Sequence, residues 1–151
     1  MIAVMLADAP HEPLQTYEAF LGPLRPWVLA SVQLDPGAAA MHFHVALPKG
    51  ESWVCPECLA PASVHDYARR EWRHVDLFGM RSVVHGRVPR LSCLRHGTRR
   101  LQVSWAAPGS RFTRAFETLA RDLARSTSVR AAAMRLGVSW EEARGIVRRQ
   151  S

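Results

Sequence analysis

Lysine and cysteine are scarce in this sequence, and long hydrophobic runs are missing. Three cysteines are an odd number, which argues against a framework of disulfide bonds. No apolar run approaches the ~18 residues that cross a membrane. The apolar stretch at residues 1–9 is short and has no basic residue before it, unlike an export signal. We therefore expect an intracellular, cytoplasmic protein without membrane contacts.

Arginine and apolar residues dominate what is present. The 151 residues are 48% hydrophobic, enough to bury the core of one domain or two small ones. The net charge of +7 is uneven: residues 1–65 have two basic and six acidic residues, whereas residues 66–151 have eighteen arginines and seven acidic residues. GC-rich coding explains the choice of arginine over lysine equally well, but not this asymmetry. A basic half favours a nucleic-acid partner, because cations near phosphates release counterions.

The first two thirds of the chain show the patterns of β-strands. Asp35-Pro36-Gly37 and Gly79-Met80 are turn sequences, each lying between two apolar runs. Pro89 should mark a sheet edge or a bulge, because proline has no N–H to donate. We predict two β-hairpins, formed by residues 27–34 with 40–47 and by residues 72–78 with 81–93.

A metal-binding pattern lies within this β-rich part. Cys55 and Cys58 form a CxxC pair, and Cys93 and His96 repeat the same spacing, with 34 residues between Cys58 and Cys93. Three thiolates and one imidazole complete a tetrahedral zinc site with no position left for water. Zinc is therefore predicted as a structural cofactor that stabilises a small β-unit.

Two alternatives to this site remain open. Cys93 is also explained as a buried strand residue and His96 as a loop histidine, since the gap between the two pairs exceeds the usual ~15 to 20 residues. His42 and His44, which share one face of a strand, form a rival metal-binding pair.

The chain changes character after a connector at residues 97–109. We place a boundary near residue 108, between a β-rich zinc-ribbon-like domain at 1–108 and a helical domain at 109–151, an α+β fold. Phe112, Phe116, Leu119 and Leu123 follow helix spacing, and arginines lie towards the opposite side. The helical domain is predicted to contain three helices.

The last two predicted helices match a helix-turn-helix. The second spans residues 129–136 and stops at Gly137, and the third begins after Ser139, with Glu142 at the capping-box position. A plain three-helix bundle with a solvated basic face is the alternative. A small residue at the helix contact, glycine in the turn and apolar inner positions fit the motif: Ala133, Gly137, Val138, Ala143 and Ile146. The predicted DNA contacts are Arg130, Ser139, Trp140, Glu141, Arg144, Gly145 and Arg148.

These residues together resemble the N-terminal part of bacterial insertion-sequence transposases of the ISL-three group. In that group a zinc-finger-like segment is followed by a helix-turn-helix. The resemblance covers the chain from about residue 20 to its end. It rests on Cys55-Pro56-Glu57-Cys58, Val64-His65-Asp66-Tyr67, Trp72-Arg73-His74-Val75-Asp76-Leu77, residues 87–93, Ser104-Trp105-Ala106, Ser110-Arg111-Phe112-Thr113 and Val138-Ser139-Trp140.

The resemblance implies binding to double-stranded DNA at the terminal inverted repeats of an insertion element, and association with the nucleoid. His96 departs from the group's pattern, which has cysteine there. The group's catalytic domain, with three metal-binding carboxylates, would begin where this sequence ends at Ser151. We therefore expect no strand cleavage by these residues, with a second copy of the chain or an intact transposase as candidate partners.

Three other functions compete with this interpretation. A stand-alone transcriptional regulator would use the same zinc unit and helix-turn-helix. A protein-interaction module would use its apolar hairpin and show little salt-sensitive DNA binding. An enzyme would have only Asp66, Asp76 and the histidines as acids and bases outside the zinc pairs, and these form no spaced catalytic set.

Overall fold

The structure is a computed structural model that describes residues 2–4 and 12–149. Strands precede the last three helices, so the predicted α+β class is confirmed. In the described part, no helix is both long enough and apolar enough to span a bilayer. The elements are β1 (Ile2–Val4), α1 (Glu12–Leu21), β2 (Val28–Asp35), β3 (Ala40–Ala46), β4 (Trp53–Val54), β5 (Pro61–Leu77), β6 (Met80–Cys93), β7 (Gly97–Arg100), α2 (Arg114–Ser126), α3 (Val129–Leu136) and α4 (Trp140–Arg148).

The strands form a sheet in the order β1-β2-β3-β6-β5-β4, with β7 also paired to β6. The first predicted hairpin is confirmed as antiparallel β2 and β3. On its other edge, β3 pairs with β6, and these two strands run parallel. One edge of β6 thus pairs first with β3, at residues 81–85, and later with β7, at residues 90–93. The β2–β3 hairpin therefore joins the sheet at the end of β6 that is far from Cys93.

The second predicted hairpin is confirmed, but its first strand is longer than expected. Phe78 and Gly79 form the turn, with φ of 52° and 70° as in the twisted two-residue turns that join antiparallel strands. β5 starts at Pro61 rather than near Trp72. Its first half alternates between exposed and half-buried residues, so it lacks the apolar run that marks a strand.

Pro89 lies within β6, opposite Tyr67 of β5 and beside a bulge between Val64 and Asp66. The predicted bulge is thus present, although on the partner strand. The carbonyl of Pro89 accepts from the N–H of Leu101 on the side that faces β7. The nitrogen of a strand residue points to the same side as its carbonyl. No ladder bond with β5 is therefore lost for want of an N–H.

Helix α1 was not predicted from the sequence. Leu14, Tyr17 and Phe20 pack on the core, and the ring centroid of Phe20 lies 5.8 Å from that of Phe43 on β3. Pro13 occupies the first turn of α1, where a missing N–H costs nothing. The prolines around this segment obscured its helical spacing.

The main core lies between α1, one face of the sheet and the loop before α2. Three tryptophans meet edge to face, with the Trp105 centroid 5.3 Å from that of Trp27 and 5.2 Å from that of Trp72. Gly86 packs against them, because a Cβ there would lie 3.5 Å from the rings of Trp27 and Trp72 and 3.2 Å from Val45. The predicted connector is partly wrong, since residues 97–100 form β7. Backbone pairing overrides the polar composition of that segment.

The three predicted C-terminal helices are all present. Ser128 is the N-cap of α3, and Ser139 and Glu142 form the predicted capping box of α4. Ala143 and Ile146 are buried at 2% and 0% exposure, as the motif requires. A second apolar cluster holds the helices together and contains Phe112, Phe116, Ala120, Leu136 and Ile146.

Gly137 ends α3 in the left-handed region, with φ of 64°. Gly137→Ala is expected to destabilise the fold by about 1 kcal/mol, because a Cβ clashes with the backbone in this conformation. Denaturant unfolding followed by circular dichroism measures the change. Gly145→Ala inside α4 serves as the control: its φ is not in that region, and the new Cβ would lie 3.5 Å from the end of Arg149. An unchanged midpoint for Gly137→Ala would contradict the assignment of this cap.

Arg73 and His74 of β5 join the sheet to the helices. Arg73 donates to Leu136 O at the end of α3 over 3.3 Å, and its guanidinium lies 5.1 Å from the ring of Phe116. His74 Nε2 donates to Phe20 O, so its Nδ1 accepts from the hydroxyl of Thr113 over 2.7 Å. Burial lowers the pKa of His74, which agrees with this neutral form. Two consecutive residues thus hold α1 and the helical domain against one strand.

Candidate metal centre and nucleic-acid interface

The four predicted metal ligands come together at one end of the sheet. Cys55 and Cys58 lie in the turn between β4 and β5, where the N–H of Leu59 donates to Cys55 O over 2.9 Å. Cys93 is the last residue of β6, and His96 lies in the turn before β7. The long β5–β6 hairpin brings the two turns together across the gap in sequence. The large spacing was thus no obstacle to one site.

The spacing of the ligand atoms fits a tetrahedral zinc ion. Cys58 Sγ lies 3.6 Å from Cys93 Sγ, and His96 Nδ1 lies 3.6 Å from Cys55 Sγ and 3.7 Å from Cys93 Sγ. All four ligand atoms lie within 4.8 Å of one another. Zn–S bonds of about 2.3 Å and a Zn–N bond of about 2.0 Å place tetrahedral ligand atoms about 3.5 to 3.8 Å apart. The residues present can therefore hold a zinc ion.

Backbone N–H groups favour the thiolate form that zinc requires. The N–H groups of His96 and Arg95 lower the pKa of Cys93 to about 6. The N–H of Cys58 similarly lowers the pKa of Cys55. The sulfurs of Cys93 and Cys55 raise the pKa of His96, because they favour its protonated form. The negative charge of the Cys93 and Cys55 thiolates suits a divalent cation.

Glu57, inside the CxxC turn, supports the histidine ligand. Its carboxylate lies 3.4 Å from His96 Nε2, the ring nitrogen that faces away from the sulfurs. Arg99 of β7 binds the other oxygen of the same carboxylate. A carboxylate on the second nitrogen fixes the tautomer and orientation of a metal-binding imidazole. The sequence analysis did not single out Glu57, although its position within the motif was visible.

The rival pair does not form a comparable cluster. His42 Nδ1 lies 2.7 Å from His85 Nε2, while His44 Nε2 lies 3.1 Å from the amide oxygen of Gln33. Among the residues that the structure describes, the cysteine–histidine group is the one set of three or more side chains whose ligand atoms lie close enough together to hold a common metal ion. The two candidate acids are each held by an arginine, Asp66 by Arg90 and Asp76 by Arg73.

The residues predicted to contact DNA lie at the protein surface, apart from Gly145, which is half-buried. Arg130 is on α3 and Ser139 caps α4. The other members lie along α4, opposite the buried Ala143 and Ile146: Trp140, Glu141, Arg144 and Arg148.

Trp140 and Arg144 lie one turn apart on this surface. The Arg144 guanidinium lies 4.9 Å from the centre of the Trp140 ring, and the ring itself is 46% exposed. Stacking on an aromatic face restricts an arginine side chain and leaves its N–H groups pointing outward. The exposed side of α4 thus offers a preordered arginine near the start of a helix.

Several other arginines of the helical domain are bound to carboxylates. Arg121, expected on the exposed face of α2, is only 13% exposed and pairs with Glu117 over 3.5 Å. Arg149 pairs with the same carboxylate over 2.7 Å, and Arg111 pairs with Glu142 over 2.6 Å. The number of arginines in the sequence therefore overstates the number available to a partner.

Comparison with protein families gives two matches that do not overlap. Residues 51–96 match the zinc-finger of transposase IS204/IS1001/IS1096/IS1165. Residues 101–151 match the helix-turn-helix domain of transposase family ISL3. Comparisons with curated proteins and with solved structures gave no match. The two matches contain the metal cluster and the three C-terminal helices, respectively.

Proposed function

We propose that the chain is the part of an ISL3-family transposase that recognises the terminal inverted repeats of an insertion element. The proposal is supported by the matches of residues 51–96 to a transposase zinc-finger and of residues 101–151 to the helix-turn-helix domain of transposase family ISL3. The observation that carries the proposal is the exposed stripe of α4, with Arg144 stacked on Trp140. The matched domains point to DNA binding and not to catalysis. We assign no catalytic residue to the chain.

Zinc is proposed to be bound by Cys55, Cys58, Cys93 and His96. The ion would stabilise the end of the β5–β6 hairpin, where β4 contributes only two residues. Four protein ligands leave no open coordination position, so its role is structural. Glu57 would orient His96, and the backbone N–H groups of the two turns would favour the thiolate forms of Cys55 and Cys93.

Base recognition is assigned to α4. In a helix-turn-helix the second helix enters the major groove and its N-terminal residues reach the base edges. Arg144 suits bidentate contact with guanine, and Glu141 can accept from a cytosine amino group. Arg130 and Arg148 would contact phosphates. We infer a domain boundary near residue 108, between the zinc-ribbon-like domain and the helical domain. DNA binding would also place the protein at the nucleoid.

Arg144→Ala tests this assignment. The variant is expected to bind the inverted repeat about 5- to 150-fold more weakly, as for the loss of one base contact. Binding to scrambled DNA should fall far less. Fluorescence anisotropy of the zinc-loaded protein on both duplexes, across a salt series, measures both effects. Arg125→Ala on α2 is the matched control, since that arginine is 71% exposed and lies on another helix.

Three outcomes would count against the proposal. Equal loss on both duplexes would reduce Arg144 to a phosphate contact. Weak, salt-insensitive binding by the unsubstituted protein would favour the protein-interaction module. A preference for an operator outside any insertion element would identify a stand-alone regulator.

A second copy of the chain, or an intact transposase, is proposed to bind with this chain at the two repeats of one element.

A further inference from the structure

The face of the sheet that points away from the tryptophan core carries a strip of basic residues. Successive strand residues alternate between the two faces. Trp72 and Val84 belong to the core, so Arg69 and Glu71 of β5 and His85 of β6 lie on the opposite face. We call this surface the basic sheet face and define it by Arg69, Arg81 and Arg87, together with His42, His44 and His85.

Arg69 and Arg87 are direct cross-strand neighbours. Both are exposed, and neither forms an ion pair within the described part of the chain. Like charges directly opposite each other destabilise a sheet. The Arg87 guanidinium lies 5.2 Å from the ring centre of Tyr67, which is itself 50% exposed. This unfavourable pairing is explained if an anion binds between the two guanidinium groups.

Two acidic residues lie on this face: Glu71 of β5 and, near Arg81, Asp35 of β2. The Glu71 carboxylate lies 3.3 Å from His85 Nδ1. Burial lowers the pKa of both His85 and His44, so these imidazoles are neutral near pH 7 and leave the strip's positive charge to its arginines. Arg81, at the start of β6, also forms no ion pair among the described residues. The net charge of the face is therefore positive.

Surface clefts connect this face to the start of α4. One cleft is lined by Arg69, Glu71, His85 and Arg87. A second also contains Glu71 and reaches from there, past Arg81, to Glu142 in the first turn of α4. The basic sheet face thus lies along clefts that reach the first turn of α4.

We propose that the basic sheet face binds the phosphate backbone of the same duplex whose major groove receives α4. This inference rests on the proposed function and adds a second contact region outside the helix-turn-helix. Arg81 and Arg87 lie six residues apart on β6, about 20 Å. That length corresponds to about six base pairs at 3.4 Å each. The contact is with phosphates, so it adds affinity for all sequences alike.

The test is the double variant Arg69→Ala with Arg87→Ala, zinc-loaded, on repeat and scrambled duplexes. Loss of two phosphate contacts should reduce the slope of log K against log salt by roughly 1.8. Affinity for both duplexes should fall by a similar factor, and the preference for the repeat should remain. The control is Arg25→Ala with Arg125→Ala, which removes the same charge from exposed sites off this face. Circular dichroism and zinc content verify that each variant is folded.

The possible failures are distinguishable. If the double variant and the control have the same salt slope as the unsubstituted protein, while Arg144→Ala still loses the repeat, the sheet face is not a contact and the proposed function stands. If both double variants reduce the slope equally, the effect comes from total charge and the proposed surface is wrong. If the unsubstituted protein binds neither duplex, the proposed function and this inference fail together.

Discussion

Cys93→Ser is expected to abolish stoichiometric zinc binding and to unfold the ribbon end of the sheet. β4 has two residues and β7 has four, so little besides the metal cluster holds them. Zinc contributes about 10 to 16 kcal/mol of apparent folding energy in small zinc domains at pH 7. Native mass spectrometry should show zinc in the unsubstituted protein and none in the variant. Hydrogen exchange should lose at least about 100-fold protection at residues 90–100, consistent with a loss of several kcal/mol locally.

Two variants bracket this result. His65→Ala removes an exposed histidine of β5 outside the cluster and should leave zinc content unchanged. His96→Cys replaces the imidazole by a fourth thiolate and should retain zinc, because four cysteines also form tetrahedral sites. Zinc retained by Cys93→Ser, with the protection at residues 90–100 intact, would show that the fold does not depend on this cluster. The helical domain has its own apolar core and should stay protected in either case.

Arg73→Ala is expected to destabilise the protein by about 3 kcal/mol, the scale for breaking a buried charged network. Arg73 is 8% exposed and donates to the carbonyls of His74 and Leu136 while pairing with Asp76 over 2.5 Å. Its removal takes this donor from the buried carbonyl of Leu136 and takes the cation from the ring of Phe116. Denaturant unfolding should show the lower midpoint. Tryptophan fluorescence in a Trp140→Phe background, which removes the tryptophan of α4, reports the β-rich part, and circular dichroism reports the helices; the two transitions should no longer coincide.

The controls separate the charge of Arg73 from its geometry. Asp76 is 48% exposed, so Asp76→Asn should cost far less than Arg73→Ala. Arg73→Lys keeps the charge but cannot reach several acceptors at once, and should lie between the two. If Arg73→Ala unfolds at the same midpoint as the unsubstituted protein, with both signals coincident, the junction does not hold the helices on the sheet.

The helical domain could be predicted almost completely from the sequence. Apolar periodicity, the capping serines and Gly137 each act within a few residues, so their effect is visible locally. The first hairpin was predicted for the same reason. Helix α1 was missed although Leu14, Tyr17 and Phe20 have helical spacing, because the nearby prolines suggested a loop. The first half of β5 was missed because both of its faces are polar or half-exposed.

For the site, the sequence supplied the residues but not their environment. The repeated two-residue spacing of Cys55, Cys58, Cys93 and His96 was enough to predict a common metal. The contact of Glu57 with Nε2 of His96 depends on how the chain turns from β6 into β7, and the spacing of the motif does not reveal that turn. Likewise, the exposed stripe of α4 followed from helical periodicity, whereas the stacking of Arg144 on Trp140 required the side-chain positions.

By itself, then, the sequence identified the cysteine–histidine cluster, the three C-terminal helices and the basic character of the second half. Each depends on neighbours in the chain or on composition. Only the tertiary structure decided which arginines are free: Arg121 is bound to Glu117, whereas Arg69 and Arg87 face each other without a carboxylate. The parallel pairing of β3 with β6 was decided in the same way. Charge pairing and strand order depend on contacts between residues far apart in sequence, and no local pattern encodes those contacts.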